Sequence, residues 1–210
     1  AAQSCVTVHH LTLITVKSLP GLLEHLGAVM AKEIEDGMTY PQETMALDTF
    51  ENYFFSGDVF LALVHVNSGT STIGGPEGTE TVLSVEEARQ SRAWDECIVG
   101  YYYVKPNYPG RSSHICNGGF VVPPKHRGGG YGSALAKSYV YYAPKLGYKA
   151  SVFNLVYTNN LASVKLWERL NFMKAGLIPK AGRLRRRDGD GEEYVDAWVF
   201  YKSFKDDGTS

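Results

Sequence analysis

Hydrophobic and polar residues follow two different periods along the first third of the chain. Along residues 7–16 they alternate, though imperfectly, and this pattern predicts a first β-strand. From Pro20 to Gly37 apolar residues recur every three or four positions, which predicts a helix with a proline near its start and a glycine at its end. A short aromatic helix is expected over residues 49–55, and a buried strand over residues 60–66.

Residues 67–95 interrupt these periods. Their first part is rich in Gly, Ser and Thr, and the rest is polar up to Trp94, so we expect a long, mobile surface insertion. Strand-like sequence resumes at residues 97–104, and the strands on either side of the insertion are expected to pair as a hairpin. The whole chain, residues 1–210, is therefore interpreted as one domain.

The second half of the chain alternates between strands and helices. A strand–helix–strand sequence at this spacing favours a parallel pair of strands around a crossover helix. The fold class is therefore predicted to be α/β, or α+β by a stricter definition. A glycine-rich acidic turn at residues 188–191 predicts a final hairpin. The expected strands are 115–122, 150–157, 176–187 and 193–204, and the expected helices are 131–142 and 160–170.

Composition argues against several classes of function. The formal net charge is −1, so no overall basic charge attracts the chain to nucleic acid or to anionic lipid. No apolar run approaches the length that crosses a bilayer. Three scattered cysteines, Cys5, Cys97 and Cys116, form neither a disulfide framework nor a metal-ligand pattern. We therefore expect no nucleic-acid partner, no membrane partner and no metal.

The same features indicate an intracellular protein, because a reducing compartment suits free cysteines. Residues 1–16 contain no Lys or Arg, which argues against a secretory signal and against an Arg-rich transit peptide. A cytoplasmic location is expected. Since the sequence does not begin with Met, a mitochondrial location would follow if a targeting segment had been removed.

The segment between residues 122 and 132 carries the most specific chemistry, and it lies between an apolar strand and an amphipathic helix. Consecutive glycines allow a tight turn that directs several backbone N–H groups at one point, and the helix amino terminus adds partial positive charge. Arg127 adds a cation whose geometry suits phosphate oxygens. These features predict a diphosphate site, although glycine-rich turns also form where a chain simply has to turn.

Two motifs resemble those of the GCN5-related N-acetyltransferase (GNAT) superfamily. Arg-x-x-Gly-x-Gly at residues 127–132, behind Val122 and Pro124, resembles its acetyl-CoA pyrophosphate loop. Residues 160–172, which begin with Asn and end in Asn-Phe, resemble the helix whose first Asn contacts the pantetheine arm. The resemblance implies a mixed central sheet that splays between two parallel strands and is flanked by helices. It also implies acetyl-CoA as the acetyl donor, bound by Phe120, Val121, Val122, Arg127, Gly128, Gly129, Gly130, Tyr131, Gly132, Asn160 and Ser163.

A narrower resemblance runs through residues 105–182. Fungal L-azetidine-2-carboxylate N-acetyltransferases contain motifs similar to Lys105-Pro-Asn-Tyr108, Ser113-His-x-Cys-Asn117-x-Gly-Phe120 and Gly176-Leu-x-Pro-x-Ala-Gly182, and residues 33–42 extend the likeness. Those enzymes acetylate the ring nitrogen of azetidine-2-carboxylate and of related proline-like amino acids. The resemblance implies a small-molecule amine of that class as the partner, and it points to a homodimer. Gly118 stands where that family commonly has Ala.

Acetyl transfer requires an unprotonated amine to attack a thioester carbonyl, on which negative charge then develops. In the fold implied by the resemblance, backbone N–H groups of residues 120–122 stabilise this charge, by roughly 3–4 kcal/mol for a good donor. Asn117 and Asn154 are expected to face the same gap between strands and to hold the substrate. The alternative is that both are structural amides that bridge the separated strands. The amine loses its proton to bulk water, or to a water held by a backbone carbonyl near Leu155.

Other side chains have simpler interpretations. Trp167 stands where many superfamily members have a Tyr that acts as general acid, and we interpret it as a packing residue. Cys116 is interpreted as a core residue rather than a nucleophile, and His126 as a packing or hydrogen-bonding residue of the turn. The candidates for the acceptor pocket are Tyr40, Phe55 and His114, the first two on the resemblance alone.

Three functions remain open at this point. The favoured one is acetyl transfer to a small cyclic secondary amino acid. The second is the same reaction on another amine, such as a polyamine, an antibiotic or a peptide terminus. A polyamine site would need carboxylates, and the segments around Asn117 and Asn154 contain none. The third is acetyl-CoA binding without catalysis, which the absent Tyr and the absence of an obvious base would suit.

Overall fold

The computed structural model describes residues 4–66 and 83–204, and its strands form one mixed seven-stranded sheet. The strands are β1 (Ser4–Leu11), β2 (Asp58–Val66), β3 (Ile98–Pro106), β4 (Ile115–Val121), β5 (Ala150–Tyr157), β6 (Met173–Arg185) and β7 (Glu192–Ser203). Their order across the sheet is β1-β2-β3-β4-β5-β7-β6. All neighbours are antiparallel except β4 and β5, which are parallel.

Helices cover both faces of the sheet. In the described ranges they are α1 (Leu13–Ser18), α2 (Leu22–Asp36), α3 (Leu47–Phe54), α4 (Val85–Arg89), α5 (Trp94–Cys97), α6 (Tyr131–Lys145) and α7 (Leu161–Arg169). The first five pack into the core on one face, and α6 and α7 pack into the core on the other. Residues 98–104 of β3 are all buried, because helices cover both sides of this strand. None of these helices is long and apolar enough to span a membrane.

Most of the predicted elements are confirmed within a few residues. The helix predicted between Pro20 and Gly37 is α2, and β5 has the predicted bounds. β2 and β3 pair as the expected antiparallel neighbours, and β6 and β7 form the final hairpin. The α/β class and the parallel pair are therefore both confirmed.

The strand predicted over residues 7–16 is wrong in its second half, where α1 begins. Thr12 caps this helix, because its hydroxyl accepts the Thr15 N–H at 3.1 Å and its carbonyl accepts the Val16 N–H at 3.0 Å. Val16 is fully buried whereas Ile14 is 84% exposed. The imperfect alternation of the sequence thus also fits one turn of an amphipathic helix.

The surface insertion expected over residues 67–95 falls partly outside the described residues, which resume at residue 83. The part from residue 83 onward is more ordered than a surface loop. Ser84 and Glu87 form a reciprocal capping box at the start of α4, and Val85 and Ala88 are buried against the core. This part therefore belongs to the packed fold.

β4 and β5 are joined at one end only. Their paired residues are Ile115 with Ala150 and Cys116 with Ser151, and beyond these the strands separate. We call the space beyond these pairs the strand gap. The Tyr139 hydroxyl of α6 lies 2.7 Å from Ser151 Oγ and 3.1 Å from Cys116 Sγ, and all three residues are fully buried. One buried hydroxyl thus fastens both strands at the point where the strand gap begins.

Tyr139→Phe is expected to lower the free energy of unfolding by about 1–3 kcal/mol, since Ser151 and Cys116 would lose a buried hydrogen-bond partner. Tyr141→Phe is the matched control, because Tyr141 lies on the same helix but is 41% exposed. Chemical denaturation of the two variants measures the difference. Equally small effects of both changes would show that the Tyr139 hydroxyl does not fasten the strands.

Candidate active site

The predicted phosphate turn leads from β4 into α6. Gly128 and Gly130 have φ values of 81° and 80°, a left-handed conformation that glycine adopts without strain. Gly130 is the N-cap of α6, and its carbonyl accepts the N–H groups of Ser133 and Ala134. In the part of the chain that the structure describes, the N–H groups of Tyr131 and Gly132, which precede Ser133, have no backbone partner. They are therefore available to an anion at the helix amino terminus.

The turn also leaves room for such an anion. A Cβ atom added to Gly128, Gly130 or Gly132 would meet no described atom within 4 Å. At Gly129 the added atom would lie 2.7 Å from the ring of Tyr131, so that position is filled by packing. The shape of the turn and its N–H groups thus fit a diphosphate such as that of acetyl-CoA.

Arg127 is anchored within the protein. Its Nε donates to the Val122 carbonyl at 3.2 Å, and one Nη forms an ion pair with Glu33 of α2. Glu33 is buried, and its other carboxylate oxygen accepts the Thr39 hydroxyl at 2.6 Å. The Arg127 side chain is 49% exposed, so its remaining nitrogen can reach a phosphate while Glu33 fixes the guanidinium. Sequence analysis missed Glu33, which is 94 residues away in the chain.

The second motif forms α7, as predicted. Asn160 is its N-cap, and the Asn160 Oδ1 accepts the Ser163 N–H at 3.2 Å. The Ser163 hydroxyl accepts the indole N–H of Trp167 at 3.1 Å. The Trp167 ring is buried against three aromatic rings, those of Phe120, Phe153 and Phe172. These contacts agree with a packing role for Trp167 and place Asn160 at the end of α7.

Backbone groups of β4 alternate between β3 and the strand gap. The Ile115 carbonyl accepts the Asn107 N–H at 2.8 Å on the β3 side, and the His114 carbonyl accepts the Lys149 N–H at 2.9 Å on the β5 side. The N–H and C=O of one strand residue point to the same edge, and those of successive residues point to opposite edges. The residues whose backbone faces the strand gap are therefore Gly118, Phe120 and Val122.

Val121 was expected among the backbone donors in the gap, and the structure corrects this. Val121 pairs with Tyr101 of β3, and its side chain is buried in the core beneath α1–α5. Gly118, which sequence analysis did not assign, faces the gap, but its N–H already donates to the Asn117 side chain at 2.7 Å. The N–H groups of Phe120 and Val122 are therefore the ones left to face the gap, and Phe120 is the one that lies within β4.

Asn117 and Asn154 both lie at the strand gap and are held by hydrogen bonds. The Asn117 Oδ1 accepts the Gly118 N–H, which turns this amide toward the gap, and its Nδ2 has no partner among the described residues. Asn154 forms a reciprocal pair with Asn107, in which each Nδ2 donates to the other Oδ1 at 2.6 and 3.0 Å. Sequence analysis missed Asn107, because its place in the β3–β4 connection gives no sign of this contact.

Leu155 lies in a β-bulge of β5, on the edge that pairs with β7. The register of β5 against β7 shifts between Phe153 and Val156, so that Asn154 and Leu155 together occupy one position of the ladder. A bulge leaves the backbone of one residue outside the ladder, and the Leu155 side chain is 36% exposed. A backbone carbonyl at this point can hold a water molecule.

Tyr40 lies against the side of the strand gap that faces α2. Its hydroxyl donates to the Phe120 carbonyl at 3.0 Å. Its ring lines a cavity of about 910 Å³ between the α2–α3 loop and the β6–β7 hairpin, together with Gln42 and Arg183. Burial raises the pKa of Tyr40 well above its usual range, so this hydroxyl remains a donor at neutral pH.

Two other expected pocket residues lie elsewhere. Phe55 packs edge-on against Phe50 in the core beneath α1–α5, because it continues the apolar face of α3. His114 precedes β4 at the end where β4 and β5 are joined. Its exposed ring lies 3.2 Å from the Arg111 carbonyl. Neither side chain is brought to the strand gap.

Cys116 and His126 have the structural roles that were predicted. Burial raises the pKa of the Cys116 thiol to about 11, so the thiol is protonated at neutral pH. His126 contacts the Asp95 carbonyl at 3.3 Å and packs edge-on against Tyr131. Within residues 4–66 and 83–204, no group of three or more His, Cys, Asp or Glu side chains is arranged to hold a metal ion.

Comparison with known proteins finds a family model and relatives whose sequences are similar to this chain. A model of the acetyltransferase (GNAT) family matches residues 79–172. N-acetyltransferase aca1 of Schizosaccharomyces pombe is 43% identical over 201 residues, which cover 95% of this chain and 88% of that protein. Protein SPT10 of Saccharomyces cerevisiae is 31% identical, and the match covers 88% of this chain but 31% of SPT10.

Solved structures share the fold at much lower identity. A GCN5-related N-acetyltransferase from Kribbella flavida superposes with a TM-score of 0.67 at 20% identity, over 95% of this chain and 98% of that one. A phosphinothricin acetyltransferase from Sinorhizobium meliloti, solved in complex with acetyl-CoA, superposes with a TM-score of 0.65 at 14% identity. That match covers 94% of this chain and 88% of the other.

Arg127→Ala is expected to weaken acetyl-CoA binding by about 10-fold, because a charge-assisted hydrogen bond to phosphate would be lost. Arg186→Ala is the control, since Arg186 is an exposed arginine of the β6–β7 turn. Isothermal titration calorimetry measures both affinities, and a melting curve reports the loss of the Glu33 ion pair separately. A lower melting temperature with unchanged affinity would restrict Arg127 to a structural role.

Trp167→Phe is expected to keep kcat within about threefold of the unmodified enzyme, because Trp167 packs against aromatic rings and transfers no proton. Steady-state release of the coenzyme A thiol measures kcat, and circular dichroism checks the fold. A loss of several orders of magnitude in a folded variant would assign Trp167 a part in the chemistry.

Proposed function

The chain belongs to the GNAT family of acetyltransferases and uses acetyl-CoA as its acetyl donor, and from this premise we propose that its acceptor is a small cyclic secondary amino acid. The class includes azetidine-2-carboxylate and proline analogues. The ring nitrogen is the atom that receives the acetyl group.

The polar lining of the strand gap is the observation that carries this proposal. Among the described residues, the side chains that we place at the gap are amides and a hydroxyl, namely those of Asn117, Asn154 and Tyr40. The carboxylate of Glu33 lies nearby but is already paired with Arg127. Neutral donors suit a substrate that carries its own carboxylate, whereas a polyamine would need acidic partners.

The reaction exchanges one bond for another at the thioester carbonyl. The neutral ring nitrogen attacks this carbon and a C–N bond forms. The C–S bond breaks as the coenzyme A thiolate leaves, and the proton that remains on the ring nitrogen passes to water to give the neutral amide. The Phe120 N–H faces the strand gap and is the donor that we assign to the developing oxyanion. The thiolate needs no dedicated acid near neutral pH, which agrees with Trp167 in place of a Tyr.

The proton of the acceptor ammonium leaves through water. Neither asparagine can accept it, and burial raises the pKa of Tyr40, so this phenol is a donor rather than a base. The bulge at Leu155 supplies a backbone position outside the ladder where a water can be held. Asn117 and Asn154 then orient the substrate carboxylate and ring in the gap.

A peptide amino terminus is the second candidate, and the size of the adjoining cavity favours it. The cavity of about 910 Å³ that Tyr40 lines is larger than one small cyclic amino acid requires. Residues that follow an acetylated terminus would lie there. A peptide that begins with proline therefore belongs in the substrate panel.

Thiol release across a panel of amines tests the proposal. We expect the highest kcat/KM with azetidine-2-carboxylate or a proline analogue, and much lower values with polyamines and aminoglycosides. The opposite order, or turnover of the peptide alone, would overturn the assignment of the acceptor.

Asn117→Ala and Asn154→Ala are expected to reduce kcat/KM for the cyclic amino acid by at least about 100-fold while acetyl-CoA affinity stays unchanged. Asn107→Ala should resemble Asn154→Ala in part, because it removes the partner that holds Asn154. Asn52→Ala, on the exposed face of α3, is the control. Rates near those of the unmodified enzyme in both site variants would show that these amides are structural.

A further inference from the structure

Lys105 lies beside Asn117 on the acceptor face of the sheet. The two are direct partners in the antiparallel pairing of β3 with β4, so their side chains are neighbours on one face. Lys105 is half-buried. It belongs to the segment that resembles the azetidine-2-carboxylate enzymes, but neither the motifs nor the mechanism above gives this side chain a role.

The surroundings of the Lys105 ammonium are polar but uncharged. Nζ donates to the Tyr53 carbonyl at 3.0 Å and lies 3.7 and 4.3 Å from the ring centroids of Tyr53 and Tyr103. The hydroxyls of these two tyrosines are 2.8 Å apart. Among the described residues, no carboxylate lies within ion-pair distance of Lys105.

Two other cations on this side of the molecule are already paired. Arg127 pairs with Glu33, and Arg183 pairs with Glu43 at 2.8 Å and Glu192 at 3.0 Å. Lys105 therefore differs from them, since it is removed from water without a counter-charge. Burial lowers the pKa of its ammonium accordingly. An incoming carboxylate would supply the missing counter-charge.

We propose that Lys105 binds the carboxylate of the amino-acid acceptor, next to Asn117. Lys105 would thus make the enzyme select amines that carry a carboxylate over amines that do not. This inference rests on the proposed function, because it assigns the group that recognises that substrate class. The ammonium has three N–H donors and uses one of them on the Tyr53 carbonyl, so two remain for carboxylate oxygens. The Tyr53 and Tyr103 rings hold the side chain at this depth.

The test compares azetidine-2-carboxylate with its carboxamide, which keeps the same ring amine but has a neutral amide in place of the carboxylate. In Lys105→Met the KM for the acid is expected to rise about 10- to 100-fold, the range for losing a hydrogen bond to a charged group. The KM for the carboxamide should change less than threefold, and kcat should change little for either. Lys105→Arg should restore most of the affinity for the acid.

Lys202→Met is the matched control. Lys202 also donates to a backbone carbonyl, that of Leu170 at 3.0 Å, and faces an aromatic ring, but it belongs to β7, which is not a neighbour of β4. Its replacement should leave both KM values unchanged. Lys105→Gln replaces Lys105→Met if the methionine variant melts at a lower temperature.

Two results would overturn the proposal in different ways. An equal rise of KM for the acid and the carboxamide in the neutral Lys105 variants would show that Lys105 only supports the packing of Tyr53 and Tyr103. The proposed function would then survive. If the unmodified enzyme acetylates the carboxamide as well as the acid, or no cyclic amino acid at all, both the inference and the proposed acceptor class would fall.

Discussion

The strand gap begins at a buried contact, the hydroxyl of Tyr139 between Ser151 and Cys116. It fastens β4 and β5 at their last paired residues, and beyond it the strands separate. Separation leaves the backbone groups of β4 that face the gap without a neighbouring strand. Such groups need other partners when they are buried. Tyr40 and Asn117 supply two of them, and the N–H of Phe120 is left for a ligand.

One carboxylate connects the two halves of the site, the phosphate turn and the strand gap. Glu33 pairs with Arg127 of the phosphate turn and accepts the hydroxyl of Thr39, whose neighbour Tyr40 reaches the Phe120 carbonyl. The donor side of the gap is formed by the amino terminus of α6 and by Arg127, which together favour a diphosphate. The side that we propose for the acceptor holds amides and hydroxyls. These two environments match a charged coenzyme and a smaller amine that must lose its proton there.

Local sequence predicted those parts of the site that depend on neighbouring residues. The phosphate turn, the helix cap at Asn160 and the bounds of β5 follow from spacing of glycines, caps and apolar residues within about 15 positions. The contacts that the sequence did not reveal join segments that lie far apart in the chain. Examples are the contact of Glu33 with Arg127 and that of Asn107 with Asn154. Val121 was misassigned because spacing along a strand does not tell which edge its backbone faces. Phe55 was carried over by resemblance alone, and local packing places both Phe55 and His114 away from the gap.

A crystal structure with coenzyme A and N-acetyl-azetidine-2-carboxylate tests the account most directly. The account predicts the acetyl group between β4 and β5, with its oxygen at the Phe120 N–H and the product carboxylate toward Asn117 and Asn154. The diphosphate should lie at the turn formed by residues 127–132. A product bound outside the strand gap, or with its carboxylate turned away from both asparagines, would contradict the account.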